Sequence, residues 1–305
     1  MTENNNEFRA GFVAVVGRPN VGKSTVMNRL VGQTIAAVSS KPQMTRKQQF
    51  GIYTDDQVQI VFIDTPGMHV AKHKLGDAMN QAAEIALMDG DAILWIVDGG
   101  LPPKPEDLLI ADRIHGLENH PPLIMALNKT DLLSNTEQEE RVQQFKNLMP
   151  DVPLIEISAY SGENLNVLME TLIPYMPVGE PFYDKDQVTD FYERDITIEL
   201  IRQAVMENLH DEVPHAVAVR LDEYADRGED KAYISATLFV ERDSQKGILI
   251  GKSGSMIKEI GMLARKEIEQ LTGRQVFLDL RVKVHKNWRN NPDALKLMGY
   301  GAHED

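Results

Sequence analysis

The stretch Gly17-Arg-Pro-Asn-Val-Gly-Lys-Ser24 decides the fold of the first half of this chain. A short apolar run, Phe12 to Val16, precedes it, and apolar residues at helical spacing follow it, so the stretch should join a strand to a helix. Its glycines allow backbone N–H groups to face an anion, and the helix amino end adds a partial positive charge. The pattern G-x-x-x-x-G-K-[ST] in this context predicts a loop that binds phosphate groups.

Each residue of this loop has a predicted place around a nucleoside triphosphate. Gly22 lets the backbone approach the phosphates, Lys23 reaches the β- and γ-phosphates, and the Ser24 hydroxyl ligates Mg²⁺. The predicted phosphate-loop residues are Gly17, Arg18, Pro19, Asn20, Val21, Gly22, Lys23, Ser24 and Thr25.

A second motif, Asp64-Thr65-Pro66-Gly67, follows the apolar run Val58 to Ile63. The carboxylate of Asp64, at the end of a strand, is expected to hold Mg²⁺ through a water molecule. Gly67 leaves a backbone N–H available for the γ-phosphate. All four residues are predicted to belong to the nucleotide site.

A threonine in the connection before the predicted hairpin should close over the metal and the γ-phosphate. Thr45 is the predicted residue, and the alternatives in the same connection are Thr34, Ser39 and Ser40. The predicted metal ligands are therefore Ser24, Thr45 and, through water, Asp64. Lys23, Thr45 and Gly67 are the predicted catalytic residues.

Two further motifs are expected to select the base. Guanine presents two adjacent donors, N1–H and the 2-amino group, which the single carboxylate of Asp131 in Asn128-Lys129-Thr130-Asp131 can accept. Asn128 can tie the loops together and reach N7, and the Lys129 stem can cover the ring. In Ser158-Ala159-Tyr160, the backbone N–H of Ala159 can meet O6. The motifs predict GTP and GDP as the ligands.

Met68 occupies the position where many GTPases carry a glutamine that orients the attacking water. A thioether cannot orient a water molecule. Hydrolysis should therefore be slow or be helped by another group.

The alternation of apolar runs and helical patterns from residue 12 to 176 predicts an α/β domain. Predicted strands begin at Phe12, Gln49, Val58, Ala92, Leu123 and Leu154, and the second and third form a hairpin. Such alternation implies a six-stranded, mostly parallel sheet with helices on both faces. A helix is also predicted over 165–175. We predict a P-loop GTPase domain over 1–178, a proline-rich linker over 179–190 and a second domain over 191–305.

Charge is distributed unevenly along the chain. The net charge is −14, which argues against nucleic acid binding by the chain as a whole. Between Lys246 and Lys296, however, eleven Lys and Arg stand against five Asp and Glu. At physiological salt, screening limits the distance over which exposed charges interact to about 8 Å. The local excess of positive charge therefore predicts that the last third of the chain can bind a polyanion.

The absence of cysteine excludes disulfides, thiolate zinc sites and a thiol nucleophile. The polar first residues lack the pattern of a signal peptide, and no stretch approaches the ~20 apolar residues needed to cross a bilayer. A soluble, cytoplasmic protein is expected.

Gly251-Lys252-Ser253-Gly254 lies between two predicted helices in the basic region. Two glycines let a sugar-phosphate backbone pass close to the loop, as in an α+β KH domain that clamps about four single-stranded nucleotides. No aromatic platform is evident beside the loop, so phosphate contacts and groove fit should supply the affinity. The predicted RNA-binding residues are Lys246, Ile250, Gly251, Lys252, Ser253, Gly254, Ser255 and Lys258.

The four nucleotide motifs followed by the Gly-Lys-x-Gly loop resemble the Era-like family of bacterial GTPases, over nearly the whole chain. The resemblance implies a KH domain of the second type that binds the 3′ end of 16S rRNA during maturation of the small ribosomal subunit. It also implies a mainly monomeric protein with peripheral association at the inner face of the cell membrane. Asn20 matches an asparagine with which relatives hold K⁺ against the phosphates, and Met68 matches an apolar residue common in this branch.

Two functional hypotheses follow from the sequence. In the first, GTP binding and hydrolysis switch the RNA-binding state of the second domain. In the alternative, the chain is a constitutive RNA-binding or chaperone module whose nucleotide is largely structural. The complete set of Lys23, Ser24 and Asp64 favours the first.

Overall fold

The computed structural model describes residues 7–33, 35, 46, 48–68, 73–117, 120–190, 193–228 and 230–300. These residues fall into two compact units. The first holds the described residues from 7 to 190 except 73–78, and the second holds 73–78 and 193–300. Among the described residues, no helix combines the length and apolar character needed to span a bilayer.

The first unit contains a six-stranded sheet, as the sequence predicts. Strand order is β2-β3-β1-β4-β5-β6, and β2 with β3 is the antiparallel pair. The strands and helices are β1 (Arg9–Val16), α1 (Lys23–Val31), β2 (Gln49–Thr54), β3 (Val58–Asp64), α2 (Lys74–Asp89), β4 (Ala92–Asp98), α3 (Pro105–His115), β5 (Leu123–Asn128), α4 (Asn135–Lys146), β6 (Leu154–Glu156) and α5 (Leu165–Leu172).

Helices cover both faces of this sheet because its central strands are apolar on both sides. On β4, Leu94 and Ile96 pack with residues of α1 and α5, whereas Ile93 and Trp95 pack with residues of α2, α3 and α4. All seven residues of β4 are buried. This arrangement confirms the predicted fold class.

The helix predicted over 165–175 is shorter in the structure. α5 ends at Leu172, and a 3₁₀ turn over Ile173–Tyr175 follows. Pro174 explains the change, since proline cannot donate the backbone hydrogen bond that an α-helix needs there.

The segment 177–190 lies along β2 and β3 of the first unit. The Ile52 N–H donates to the Val188 carbonyl at 2.9 Å, and the Thr189 hydroxyl donates to the Phe50 carbonyl at 2.8 Å. The fully buried Gln59 side chain accepts the backbone N–H groups of Phe182 and Tyr183. The predicted boundaries at 178 and 190 remain a prediction, but this segment is held by specific hydrogen bonds.

The second unit consists of a three-stranded sheet with helices packed on one face. β7 pairs with β8 antiparallel, and β8 pairs with β9 parallel. Its elements are α6 (Glu193–Asn208), β7 (Ala218–Asp226), β8 (Lys231–Val240), α7 (Asp243–Ile250), α8 (Ser255–Thr272), β9 (Gln275–Val284) and α9 (Pro292–Leu297). Alternate residues of the strands, such as Ile234 and Leu238, join residues of α6 and α8 in one apolar core.

Candidate functional site

The phosphate-binding loop connects β1 to α1, as predicted. Gly22 has φ 101°, and a Cβ at this position would lie 2.3 Å from Asn128 Nδ2. Glycine is therefore required both by the left-handed backbone and by the close approach of the neighbouring loop. The Lys23 ammonium donates to the carbonyl oxygens of Gly17 and Arg18 at 3.1 and 3.2 Å. Lys23 is thus held inside the loop that should surround the phosphates.

The pKa of the Lys23 ammonium reflects the burial of its side chain. The pKa of its ammonium is lowered to about 8, mainly by burial; the Asp64 carboxylate partly opposes this shift, and the charge of Arg18 adds to it. A phosphate anion beside Lys23 would stabilise the charged form. The loop therefore favours an anionic ligand.

The predicted metal ligands Ser24 and Asp64 lie together. Ser24 Oγ donates to Asp64 Oδ2 at 2.7 Å, and Asp64 is fully buried at the end of β3. A hydroxyl and a carboxylate are oxygen ligands of the kind that Mg²⁺ prefers. These two residues therefore fit a Mg²⁺ ion. The third predicted ligand, Thr45, lies outside the described residues, as do its alternatives Thr34, Ser39 and Ser40.

The remainder of the Asp64–Gly67 motif is packed closely against β1 and the phosphate loop. The buried Thr65 hydroxyl donates to the Val15 carbonyl at 2.8 Å. A Cβ at Gly67 would lie 2.7 Å from the Pro19 nitrogen, so no side chain fits there. Met68 is 1 % exposed and packs among apolar residues of α2 and β4. Its side chain therefore points into the core and cannot position a water molecule.

The base-selecting motifs meet at the same edge of the sheet. Asn128 Nδ2 donates to the Val21 carbonyl at 2.8 Å, and the Ala159 N–H donates to Asn128 Oδ1 at 2.9 Å. Asn128 therefore ties the phosphate loop to the Ser158–Tyr160 loop. In this structure the Ala159 N–H, which was predicted to meet O6, is bonded to Asn128.

Asp131 is held in place by its neighbour in the other base loop. Ser158 Oγ donates to Asp131 Oδ1 at 2.6 Å, and Ser158 is itself fully buried. One carboxylate oxygen is thereby oriented, so the pair of guanine donors would meet a fixed acceptor. Tyr160 is 82 % exposed beside this loop.

Sequence reasoning missed an ion-pair network beneath these loops. The carboxylate of Asp98, at the end of β4, accepts a hydrogen bond from the Lys129 ammonium at 2.9 Å. The same carboxylate oxygen lies 3.3 Å from a guanidinium nitrogen of Arg18. Arg18 is also paired with the fully buried Asp107 of α3 at 3.2 Å. The Lys129 ammonium also donates a hydrogen bond to the Asn20 carbonyl at 2.8 Å. The network joins the phosphate loop to the base loop, and Arg18 acts as a buried support for the loop.

A further missed residue is Arg29 of α1. Its side chain donates to the carbonyl oxygens of Ala159 and Tyr160 at 3.1 and 2.7 Å. The available sequence signal was positional: Asp98 ends a strand as Asp64 does, and Arg29 follows the phosphate loop by less than two helical turns. Neither residue belongs to a motif, so only the folded chain reveals its partners.

These residues form one crevice at the carboxyl ends of β1, β3 and β5, where open parallel sheets bind ligands. It provides a cation for phosphates, two oxygen ligands for Mg²⁺, and an oriented carboxylate for a base. This combination can bind a nucleoside triphosphate and polarise its γ-phosphate for attack by water.

In the second unit, the Gly251–Gly254 loop joins α7 to α8. Gly251 has φ 73°, Ser253 φ 53° and Gly254 φ 82°, so three backbone units are left-handed in a short stretch. Lys252, Ser253, Ser255 and Lys258 are exposed, and Lys246 and Ile250 are partly buried. The structure thus brings all the predicted RNA-binding residues to this loop and the adjoining turns of the two helices.

Comparison with known proteins gives two family matches. Residues 12–129 match the family described as 50S ribosome-binding GTPase, and residues 212–289 match the KH domain family. The first range contains the phosphate loop and the Asp64 motif, and the second contains the Gly251–Gly254 loop. These matches confirm the predicted pairing of a GTPase domain with a KH domain.

Two solved structures resemble the chain along nearly all of its length. One is Era in complex with MgGDPNP and nucleotides 1506–1542 of 16S ribosomal RNA, with 35 % identity, a TM-score of 0.91, and coverage of 96 % of this chain and 99 % of that chain. The other is a variant of Aquifex aeolicus Era bound to GDP and AlF4⁻, with 35 % identity, a TM-score of 0.91, and coverage of 96 % and 100 %. Since this likeness includes both domains, the chain belongs to the Era family of GTPases.

Proposed function

We propose that this chain is a GTP-hydrolysing switch that binds the single-stranded 3′ end of 16S rRNA through its KH domain and acts in maturation of the small ribosomal subunit. The observation that carries the proposal is the presence, on one chain, of the nucleotide crevice with its Ser24–Asp64 and Ser158–Asp131 pairs and the Gly251–Gly254 loop. The full-length likeness to Era bound to MgGDPNP and 16S rRNA supports it.

In the proposed reaction, the side chains of the crevice act mainly by positioning and by charge. Lys23 binds the β- and γ-phosphates, the N–H of Gly67 faces the γ-phosphate, and Asp131 accepts the two guanine donors. Ser24, Asp64 and the predicted Thr45 would hold Mg²⁺, which neutralises phosphate charge. Because Met68 is buried in the core and cannot orient the attacking water, slow intrinsic hydrolysis is expected.

A potassium ion is proposed to assist hydrolysis beside Asn20. Asn20 has φ 66°, an uncommon conformation for a residue other than glycine, and its carbonyl is fixed by Lys129. Both features hold the residue in a defined place next to the phosphate loop. Phosphate release should be faster in KCl than in NaCl at equal ionic strength, and equal rates would refute the K⁺ proposal.

The RNA-binding half of the proposal is tested with Gly254→Asp. A Cβ at Gly254 meets nothing within 4 Å, so the added carboxylate should repel phosphates without a steric clash. Gly32→Asp is a matched control, because Gly32 also has positive φ and open space but lies in the first unit, at the end of α1. An RNA of the 16S 3′ end should bind the control and fail to bind Gly254→Asp, with GTP binding unchanged in both.

The alternative is a constitutive RNA-binding module with a structural nucleotide. Measuring GTP turnover distinguishes it from the switch. Release of phosphate above the rate of a Lys23→Ala variant supports the switch, and equal rates support the alternative. The Ser24–Asp64 arrangement at the end of β3 favours turnover because it fits a catalytic Mg²⁺.

The proposal extends to cellular location and assembly. Membership of the family supports a cytoplasmic, mainly monomeric protein that meets the small ribosomal subunit and associates peripherally with the inner face of the cell membrane. Cosedimentation with purified small subunits and with anionic lipid vesicles tests the two contacts separately. If the protein fails to sediment with the small subunits or with the vesicles, the corresponding contact is refuted.

A further inference from the structure

The open face of the second sheet carries two stacked aromatic rings. Tyr233 of β8 and Phe277 of β9 are direct neighbours in the parallel register, and their ring centroids lie 5.7 Å apart with an interplanar angle of 15°. Phe277 is 67 % exposed. A phenyl ring this exposed leaves a large apolar area in contact with water, so its position requires an explanation.

The strand alternation shows that this face is separate from the domain core. Ala232, Ile234 and Leu238 of β8 and Val276 of β9 belong to the core with residues of α6 and α8. Residues one position away, including Tyr233 and Phe277, must therefore point to the other side of the sheet. The aromatic pair consequently lies on the face opposite the helices.

Cations lie beside the two rings and further along the same face of the sheet. The Arg227 guanidinium lies 5.8 Å from the centroid of the Tyr233 ring, in a cation–π contact. Lys231 shares the open side of β8 with Tyr233. Lys283 lies on the same side of β9 but six residues, or about 20 Å, beyond Phe277. Arg227, Lys231 and Lys283 form no ion pair with another residue in the described part of the chain.

The acidic groups of this face are largely neutralised. Asp222 is ion-paired with Arg220 at 2.6 Å, and Asp279 with Arg281 at 2.9 Å. The exposed carboxylates of Glu223 and Asp230 oppose the charges of Arg227, Lys231 and Lys283. Among the described residues of this face, cations therefore exceed carboxylates by one, although the whole chain is acidic.

These features suit a nucleic acid better than a protein partner. Flat rings flanked by cations are the recurring arrangement for stacking an unpaired base while phosphates are neutralised. An apolar protein-docking patch usually extends over a few hundred Å². Here Lys231 and Gln275 next to the rings are polar and exposed, and Ser235 and Thr237 further along β8 are buried.

The aromatic pair is distant from the predicted RNA-binding loop. The Gly251–Gly254 loop precedes α8, and β9 begins after the other end of that 18-residue helix. At 1.5 Å per residue, the helix separates the two places by about 25 Å. A KH groove accommodates about four nucleotides, so an RNA bound only there would not reach Phe277.

We propose that the open sheet face, defined here as Tyr233, Phe277, Arg227, Lys231 and Lys283 and called the aromatic platform, is a second RNA-contact surface. An unpaired base stacks on Phe277, Arg227 and Lys231 contact the neighbouring phosphates, and Lys283 contacts a phosphate further along the RNA. The platform extends the contact to nucleotides outside the KH groove of the same RNA. This inference rests on the proposed RNA-binding function.

The test compares two RNA probes by fluorescence anisotropy with the full chain. The long probe is the segment equivalent to nucleotides 1506–1542 of 16S rRNA, and the short probe is about six nucleotides, enough for the groove alone. Phe277→Ala should weaken binding of the long probe about tenfold, with the short probe unchanged. Phe277→Tyr should restore binding, because it retains the ring.

Two further variants control for folding and for charge. Phe182→Ala removes another phenyl ring that is 52 % exposed, in the first unit, and should leave both affinities unchanged. Lys283→Gln should reduce by about one the slope of log affinity against log salt for the long probe alone. Thermal unfolding of each variant checks that the domain remains folded.

The outcomes separate this inference from the proposed function. If Gly254→Asp abolishes binding of the short probe while Phe277→Ala leaves the long probe unaffected, RNA binding stands and the platform is refuted. If the unmodified chain binds neither probe, both proposals fail. If Phe277→Ala leaves RNA binding unchanged but weakens cosedimentation with small subunits, the face contacts a ribosomal protein and the platform proposal is wrong.

Discussion

At the scale of single residues, base selection depends on the carboxylate of Asp131. Asp131→Asn replaces one acceptor oxygen by a donor amide, which would face a donor of guanine, while xanthine offers an acceptor at the same place. GTP affinity should fall roughly a hundredfold and xanthosine triphosphate affinity should rise, since two charge-assisted hydrogen bonds are changed. Competition binding with GTP and xanthosine triphosphate measures this change in relative affinity. Unchanged GTP affinity would mean that the base lies elsewhere.

Asp98 offers a test of the ion-pair network. Asp98→Asn keeps the shape but removes the charge that holds Lys129 and lies beside Arg18. Because the buried guanidinium and the lysine lose a partner, GDP affinity should fall about tenfold and the free energy of unfolding by about 2 kcal/mol. Isothermal titration and urea unfolding provide these values. Asp112→Asn, at an exposed position of α3, should change neither, and an equal effect there would contradict the role given to Asp98.

Lys23 should give the nucleotide-free protein a distinct pH dependence. The pKa of Lys23 is about 8 in the folded chain, against the ordinary lysine pKa of 10.5 in the unfolded chain, so between these values the unfolded chain binds more protons than the folded chain. The free energy of unfolding must then rise with pH across this window. Lys23→Met should be more stable than the unmodified chain at pH 7, by about 1–3 kcal/mol, and the difference should shrink towards pH 10.

Urea unfolding at several pH values, in buffer with a chelator and without nucleotide, measures this difference. Groups other than Lys23 titrate equally in both proteins and cancel. A difference that stays constant from pH 7 to 10 would show that the Lys23 ammonium is not destabilised by burial.

At the scale of elements, Gln59 fixes the connecting segment to β3. Its side chain accepts the N–H groups of Phe182 and Tyr183 at 2.7 and 2.9 Å and donates to the Tyr183 carbonyl at 2.9 Å. Gln59→Leu leaves these groups without partners, so amide hydrogen exchange at 182–183 should accelerate at least tenfold. Gln57→Leu, at an exposed neighbouring position, is the control. Exchange at equal rates in both variants would contradict a fixing role.

The elements also show which structure a sequence can predict. Continuous apolar runs and the turn through Asp55 predicted the strands, because burial on both faces leaves that local pattern. The phosphate loop and the base motifs were predictable because their chemistry depends on short, fixed spacings. The Arg18–Asp107 pair and the Tyr233–Phe277 stack were not, since their members are far apart along the chain and meet only through the tertiary fold. Thr45 stays a prediction.

At the scale of the whole molecule, the switch hypothesis requires that nucleotide and RNA affinities be coupled. RNA affinity should differ at least fivefold between the chain with a non-hydrolysable GTP analogue and the chain with GDP. Anisotropy titrations of the 16S probe in the two nucleotide states measure this ratio. By thermodynamic linkage, the probe must change the affinity ratio of the two nucleotides by the same factor. Equal RNA affinities would favour the constitutive module.

The short contact between Ser24 and Asp64 has a consequence for the order in which the crevice is filled. The hydroxyl already donates a hydrogen bond to one carboxylate oxygen at 2.7 Å, so a bare divalent ion would have to replace that bond and shed water without phosphate oxygens in compensation. Mg²⁺ should therefore arrive as a complex with the nucleotide, and a cell depleted of guanine nucleotides would leave the protein metal-free even when the ion is abundant.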